Sequence, residues 1–188
     1  NTLYLLVKGT NGLVGFLADP KGEYKPARDR DILQEVTTAM HAKGIKVYAW
    51  IYCSEDSCYV KSHPSEACHH FRTGPAEKHI DLNSTDFSDY LIRMIQVIRT
   101  YYKVDGILFD HLRYNGLYFG WSEKDFKAMT TDPEIGMNLA EYNEAVRLMA
   151  ATYNYPIAED PVTKRYVYNA SGPIHENIPN AIFDAAEK

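Results

Sequence analysis

Asp110, His111 and Arg113 end a short apolar run, Ile107-Leu108-Phe109, which the chain enters through Val104-Asp105-Gly106. The run is too short for a buried helix and reads as a buried parallel strand. A carboxylate at the C-terminal end of such a strand stands where parallel α/β folds gather their catalytic and ligand-binding groups. Two readings of Asp110 are open. It is a reacting carboxylate, or it only caps the following turn or pairs with Arg113. His111 and Arg113 would hold the carboxylate ionised or bind substrate hydroxyls. Glu159 and Asp160 follow a second possible strand, Tyr155–Ala158, and could share a rim with Asp110. The alternative is a surface pair beside Pro161. Lys8 ends another apolar run and would point into the same mouth, to bind a sugar or pair with Asp110. A solvated lysine at the start of a loop is equally compatible with its position.

The chain holds 15 tyrosines and is 13% aromatic. Tyrosine offers a flat apolar face and a hydroxyl, a combination suited to stacking on sugars, although most such residues serve the core. Trp121 and Tyr114 lie in a loop and are the aromatics best placed for ligand contact. Trp50 lies inside a strand and reads as core.

Cys53, Cys58 and Cys68 fall in one segment, with spacing Cys-x4-Cys-x9-Cys-His-His. Zinc is one reading, because Cys and His are its usual ligands, but the tight Cys-x2-Cys pair is missing. A Cys58–Cys68 disulfide with Cys53 buried at a strand end is simpler, and reduced thiols are the third reading. No phosphate-binding glycine loop and no serine elbow occurs. No cofactor and no metal is expected.

The chain has 188 residues, 45% hydrophobic and 24% charged, and a net charge of −5. That is enough for one domain with a real core, spanning 1–188. The acidic balance argues against nucleic acid as a partner. No apolar run approaches the ~20 residues that cross a bilayer. No signal peptide is visible, and the chain opens at Asn1-Thr2-Leu3. Asn83-Ser84-Thr85 and Asn169-Ala170-Ser171 fit the glycosylation pattern, which matters only in a secreted protein. The expected location is extracellular or at the cell surface.

Leu3–Val7 is a continuous apolar run and predicts a buried strand, and Ile45–Tyr52 reads as the next strand. Between them Ile32, Leu33, Val36 and Met40 recur at helical spacing over 29–43, and Gly44 supplies the stop. The long segment from Cys53 to Asp81 predicts a functional or crosslinked loop. Ser84 or Thr85 caps the next helix, with its stripe at Phe87, Leu91, Met94, Ile95, Ile98 and Tyr102. Ser122 with Asp125, and Asn138, open two more helices. A final helix is expected near Ile182. Repeated β-α units imply a parallel sheet.

Three segments resemble the glycoside-hydrolase-like (GHL-type) barrels related to the α-amylase-like clan, over roughly residues 3–114. These are Leu6-Val7-Lys8-Gly9-Thr10-Asn11-Gly12, Lys43-Gly44-Ile45-Lys46-Val47-Tyr48-Ala49-Trp50, and Asp105-Gly106-Ile107-Leu108-Phe109-Asp110-His111-Leu112-Arg113-Tyr114. The short segment Asp81-Leu82-Asn83 fits as well. The clan's usual arginine two residues before the aspartate is here Leu108, and the cysteine segment has no counterpart. The resemblance implies an α/β fold, a (β/α)8 TIM-barrel-like domain. A full barrel needs ~250 residues, so this one is partial or truncated, an open sheet, or a fragment completed by a partner chain or a homo-oligomer. It also implies a glycoside hydrolase acting on a polysaccharide or glycoconjugate. Such chemistry commonly uses two carboxylates, here Asp110 as nucleophile or stabiliser and Glu159. Lys8, His111, Arg113, Tyr114 and Trp121 would bind the carbohydrate. The alternative is a silent carbohydrate-binding or assembly module on a degenerate barrel.

Overall fold

The computed structural model describes residues 1–172; the helix expected near Ile182 lies outside them. The described chain divides into two compact units, the first formed by residues 1–68 and 75–115, the second by 69–74 and everything from 116 onward.

The first unit is built on a five-stranded sheet. Its strands are β1 (Thr2–Lys8), β2 (Leu13–Val14), β3 (Lys25–Pro26), β4 (Lys46–Tyr52) and β7 (Gly106–Asp110), in the order β3-β2-β1-β4-β7. β1, β4 and β7 run parallel, with Leu6 opposite Trp50 and Tyr52 opposite Asp110. β2 pairs antiparallel with β1. The sheet does not close on itself, so the barrel expectation narrows to a mixed α/β fold with a parallel centre.

Two helices cover one face. α1 (Ile32–His41) is shorter than the expected 29–43, because the Asp31 carboxylate accepts from the Gln34 N–H and sets its start. α3 (Thr85–Tyr101) is capped by the Ser84 hydroxyl, which accepts from the Phe87 N–H. Its buried stripe is Phe87, Tyr90, Met94, Val97 and Ile98. Leu33, Ala49, Ile51, Met94 and Ile98 meet in one core and are almost wholly buried. Truncating any of the larger ones would cost about 2–5 kcal/mol.

The other face is open. Tyr4, Leu6 and Leu108 are 54%, 51% and 36% exposed. Asp105 and Gly106 explain the entry into β7. The Asp105 carboxylate accepts from the Val47 N–H at 2.7 Å and lies 2.9 Å from His41 Nε2. A Cβ on Gly106 would sit 2.4 Å from the Tyr48 ring, so only glycine fits under it.

The segment from Cys53 to Asp81 is not the expected loop. It folds as α2 (Ser57–Ser62), a 3₁₀ turn (Pro64–Glu66), β5 (Ala67–His70) and β6 (Gly74–Ile80). Backbone bonds from the Asp56 N–H to the Lys78 carbonyl (2.7 Å) and from the Ile80 N–H to the Ser54 carbonyl (3.0 Å) hold it. The expected disulfide is absent, since all three cysteines are free thiols. Cys53 and Cys68 are buried, and half-buried Cys58 lines a cleft with Tyr59, His63 and Tyr90. These backbone bonds do the fastening expected of a crosslink. Among the described residues no cluster of three or more His, Cys, Asp or Glu stands close enough to hold a metal ion, and no helix is long and apolar enough to cross a membrane.

The second unit contains α4 (Glu123–Thr131) and α5 (Leu139–Thr152). Both carry capping boxes, Ser122 with Asp125 and Asn138 with Glu141. β8 (Ile157–Glu159) pairs antiparallel with β9 (Tyr166–Tyr168) in a separate sheet, so it is not a fourth parallel strand. The core of this unit includes Tyr142, Val146, Met149 and Ile157.

Candidate functional site: the C-terminal ends of the parallel strands

Asp110 closes β7 and is one-third exposed. Its Oδ2 accepts from Trp50 Nε1 at 3.0 Å, and its Oδ1 accepts from the His111 N–H at 2.8 Å. His111 takes φ 53°, a left-handed conformation uncommon outside glycine, and this turns its own N–H back onto the carboxylate. Its ring stacks on Tyr52 with centroids 4.2 Å apart. Trp50 therefore is not core. It stands half-buried on the open face of the sheet, where strand alternation puts residues 48, 50 and 52 together.

A polar network runs from His111 to Glu55. His111 Nδ1 lies 3.3 Å from Asn115 Oδ1, and Asn115 Nδ2 donates to Glu55 Oε1 at 2.7 Å. Asn115 Nδ2 is also 2.8 Å from His79 Nε2, which lies 3.3 Å from Glu55 Oε1. Lys78 Nζ reaches Glu55 Oε2 at 2.6 Å. Burial alone would raise the Glu55 carboxyl. The hydrogen bonds from Lys78 and Asn115 and the nearby His79 outweigh it and hold the group below its ordinary value. An antiparallel bridge between Glu55 and His79 sets this register.

Lys8 is not at a mouth. It is fully buried, donating to the carbonyls of Tyr52 (2.8 Å) and Glu55 (2.9 Å) and paired with Asp56 Oδ2 at 3.3 Å. Burial draws its pKa down, against the opposing pull of Asp56. All three ammonium protons thus have acceptors, and the residue pins the turn that carries Tyr52 and Glu55. Its partner is Asp56 rather than Asp110.

Arg113 likewise does not pair with Asp110; it is exposed and its guanidinium donates to the Tyr114 carbonyl at 3.4 Å. The Tyr114 hydroxyl donates to Asp81 Oδ1 (3.3 Å) and accepts from the Leu82 N–H (3.2 Å). Trp121 and Glu159 belong to the second unit. Trp121 Nε1 donates to the Leu117 carbonyl at 2.7 Å, and its ring packs edge-on against Phe71 and Tyr142. Glu159 is half-exposed and pairs with Lys164 at 3.4 Å.

The sequence-based site residues that the first unit brings together are thus Asp110 and His111. Trp50, Tyr52, Glu55, His79 and Asn115 join them. Glu55 carried a usable signal, because Cys53-Ser54-Glu55-Asp56 directly follows the end of β4 just as Asp110 ends β7. His79 and Asn115 carried none, since only the folded Cys53–Asp81 segment brings them in.

Beside this cluster lies a cleft of about 560 Å³, lined by Leu6, Trp50 and Tyr52, the Gly9–Asn11 loop, Arg28 and Arg30. Its volume falls in the range of small-molecule sites.

The class defined by this architecture is a mixed α/β fold with a parallel sheet, with Tyr52 and Asp110 at the C-terminal ends of β4 and β7. That fold is shared with solved structures. One is "Alpha-L-fucosidase isoenzyme 2 from Paenibacillus thiaminolyticus", similar over 82% of this chain and 24% of that one, with TM-score 0.59 and 22% identity. Another is a hypothetical protein from Ruminiclostridium thermocellum ATCC 27405, matched over 81% of this chain and 76% of that one, with TM-score 0.55 and 17% identity. The chain spans about a quarter of the fucosidase's length. No family model matches the chain, and no curated protein matches it.

Proposed function

We propose that this chain is a glycoside-hydrolase-like protein acting on a polysaccharide or glycoconjugate, with Asp110 as the reacting carboxylate. The observation that carries the reading is the placement of Asp110. It is a partly exposed carboxylate at the end of β7, the parallel strand at the edge of the sheet, oriented by Trp50 Nε1 and the His111 N–H. Both bonds fix the orientation of the carboxylate, as a nucleophile or a stabiliser of an oxocarbenium-like transition state requires. Trp50 and Tyr52 supply the flat apolar surface on which a sugar ring stacks. His111, Asn115 and Glu55 act as positioning residues around it. The fold likeness to a fucosidase is consistent with this chemistry.

A second reading, a carbohydrate-binding or assembly module without turnover, draws on a different observation. The open face of the sheet exposes Tyr4, Leu6 and Leu108, and β7 lies at the sheet's edge. Both features suit a partner chain, a second copy or further strands completing a barrel.

Reducing-end release from a panel of polysaccharides and glycoconjugates separates the two. Release by the parent protein that disappears in Asp110→Asn supports the hydrolase. Binding without release supports the module, and release that persists in Asp110→Asn rejects Asp110.

A further inference from the structure

The cleft beside Asp110 is lined unevenly in charge. The molecule as a whole is acidic, at −5. Yet among the described residues the ionisable side chains along this cleft, Tyr52 aside, are Arg28 and Arg30, and no carboxylate lines it. Arg30 is spoken for, since its guanidinium pairs with Glu35 through both Nε and Nη2. Arg28 is exposed and makes no ion pair or hydrogen bond among the described residues. Asp31, the nearest acid in sequence beyond Asp29, is committed to the Gln34 and Leu17 N–H groups and the Tyr102 hydroxyl. Asp29 does not line the cleft.

The backbone bearing Arg28 is anchored on both sides. The Ala27 N–H donates to the Val14 carbonyl at 2.8 Å, and the Leu33 N–H donates to the Gly15 carbonyl at 2.8 Å. Arg28 therefore projects from a fixed base rather than from a long free loop. Trp50 joins this cationic wall to the carboxylate, because the same indole lines the cleft and donates to Asp110.

From this asymmetry we infer that the cleft takes an anionic saccharide, whose carboxylate or sulfate group meets the Arg28 guanidinium while a ring stacks on Trp50 and Tyr52. Guanidinium is matched to such oxyanions by its planar fork of donors. The inference rests on the proposed reading of the cleft as a carbohydrate site and narrows its substrate class.

Calorimetric binding tests it. The probes are oligosaccharides of matched length on several backbones, each as a neutral, a uronate and a sulfated form. Uronate or sulfated oligomers should bind about tenfold or more tightly than their neutral counterparts at low salt, and the preference should shrink as salt is raised. Arg28→Gln should remove that preference, and Trp50→Ala should weaken neutral and anionic forms alike. The contrast between uronate and sulfated oligomers identifies which oxyanion is read. Neutral and anionic forms that bind equally, with Arg28→Gln indistinguishable from the parent, overturn the inference and leave the carbohydrate reading standing. If none of the oligosaccharides binds to protein with an unaltered melting curve, the carbohydrate reading falls and the inference with it.

Discussion

Replacing Lys8 with methionine removes one charge from a site that excludes water completely. The Lys8 and Asp56 side chains are both 0% exposed, and the ammonium satisfies the Tyr52 and Glu55 carbonyls as well as the Asp56 carboxylate. Methionine keeps most of the apolar stem that packs near Phe87 but strands the Asp56 charge and two backbone acceptors. Breaking one side of a buried ion pair costs about 3–5 kcal/mol. The orphaned carbonyls fall within the same loss rather than adding to it in full. The midpoint of thermal unfolding should drop by on the order of 10 °C. Urea unfolding followed by circular dichroism measures the loss directly. Asp56→Asn is the companion variant, because its Oδ1 still accepts from the Tyr59 N–H and preserves the α2 cap. The Lys8→Met/Asp56→Asn double variant should then lose clearly less than the sum of the two singles. A Lys8→Met protein within about 0.5 kcal/mol of the parent, or strictly additive singles, would refute the claim that this pair holds the turn after β4.

Two other outcomes are expected. The Glu55 carboxyl lies below its ordinary value of 4.5 in the folded protein, so its contribution to stability is present above pH 4.5 and drains away as acid takes the pH down through the folded value. Stability measured across pH 3 to 6, about the range of carboxyl titration, should fall less steeply in Glu55→Gln than in the parent; parallel curves would contradict this assignment. The three cysteines are free thiols, so a reductant should leave the melting temperature unchanged and a thiol reagent should count three in denaturant. In the folded protein half-buried Cys58 should react ahead of buried Cys53 and Cys68, and a reductant-dependent melt would show a crosslink instead.

Much of this architecture is legible in local signals. The runs in β1, β4 and β7, the stripes of α1 and α3, and the caps at Ser84, Ser122 and Asn138 each state their structure within a few residues. The segment from Cys53 to Asp81 does not. Its helix has six residues and its strands are held by partners distant along the chain, such as Asp56 with Lys78, so neither periodicity nor propensity announces them. Lys8 reads as a lysine at the mouth of the site or in solvent because nothing nearby in sequence reveals Asp56 beneath it. Trp50 reads as core because an apolar run hides which face of the sheet stays uncovered. Asp110 stands at a strand end in both views, but its hydrogen-bond partner Trp50 is 60 residues away, and only the parallel pairing of β4 with β7 brings the two together.

The measurement that bears most directly on Asp110 is a paired determination of binding and turnover on the same glycan, for the parent and for Asp110→Asn. Asparagine keeps one acceptor oxygen, enough for the Trp50 Nε1 or the His111 N–H but not both, and cannot carry the charge. Binding within a few-fold of the parent together with loss of release, by about a thousandfold or more for a carboxylate that stabilises the transition state, is the expected pair of results. Release at the parental rate with binding intact would contradict the assignment of Asp110.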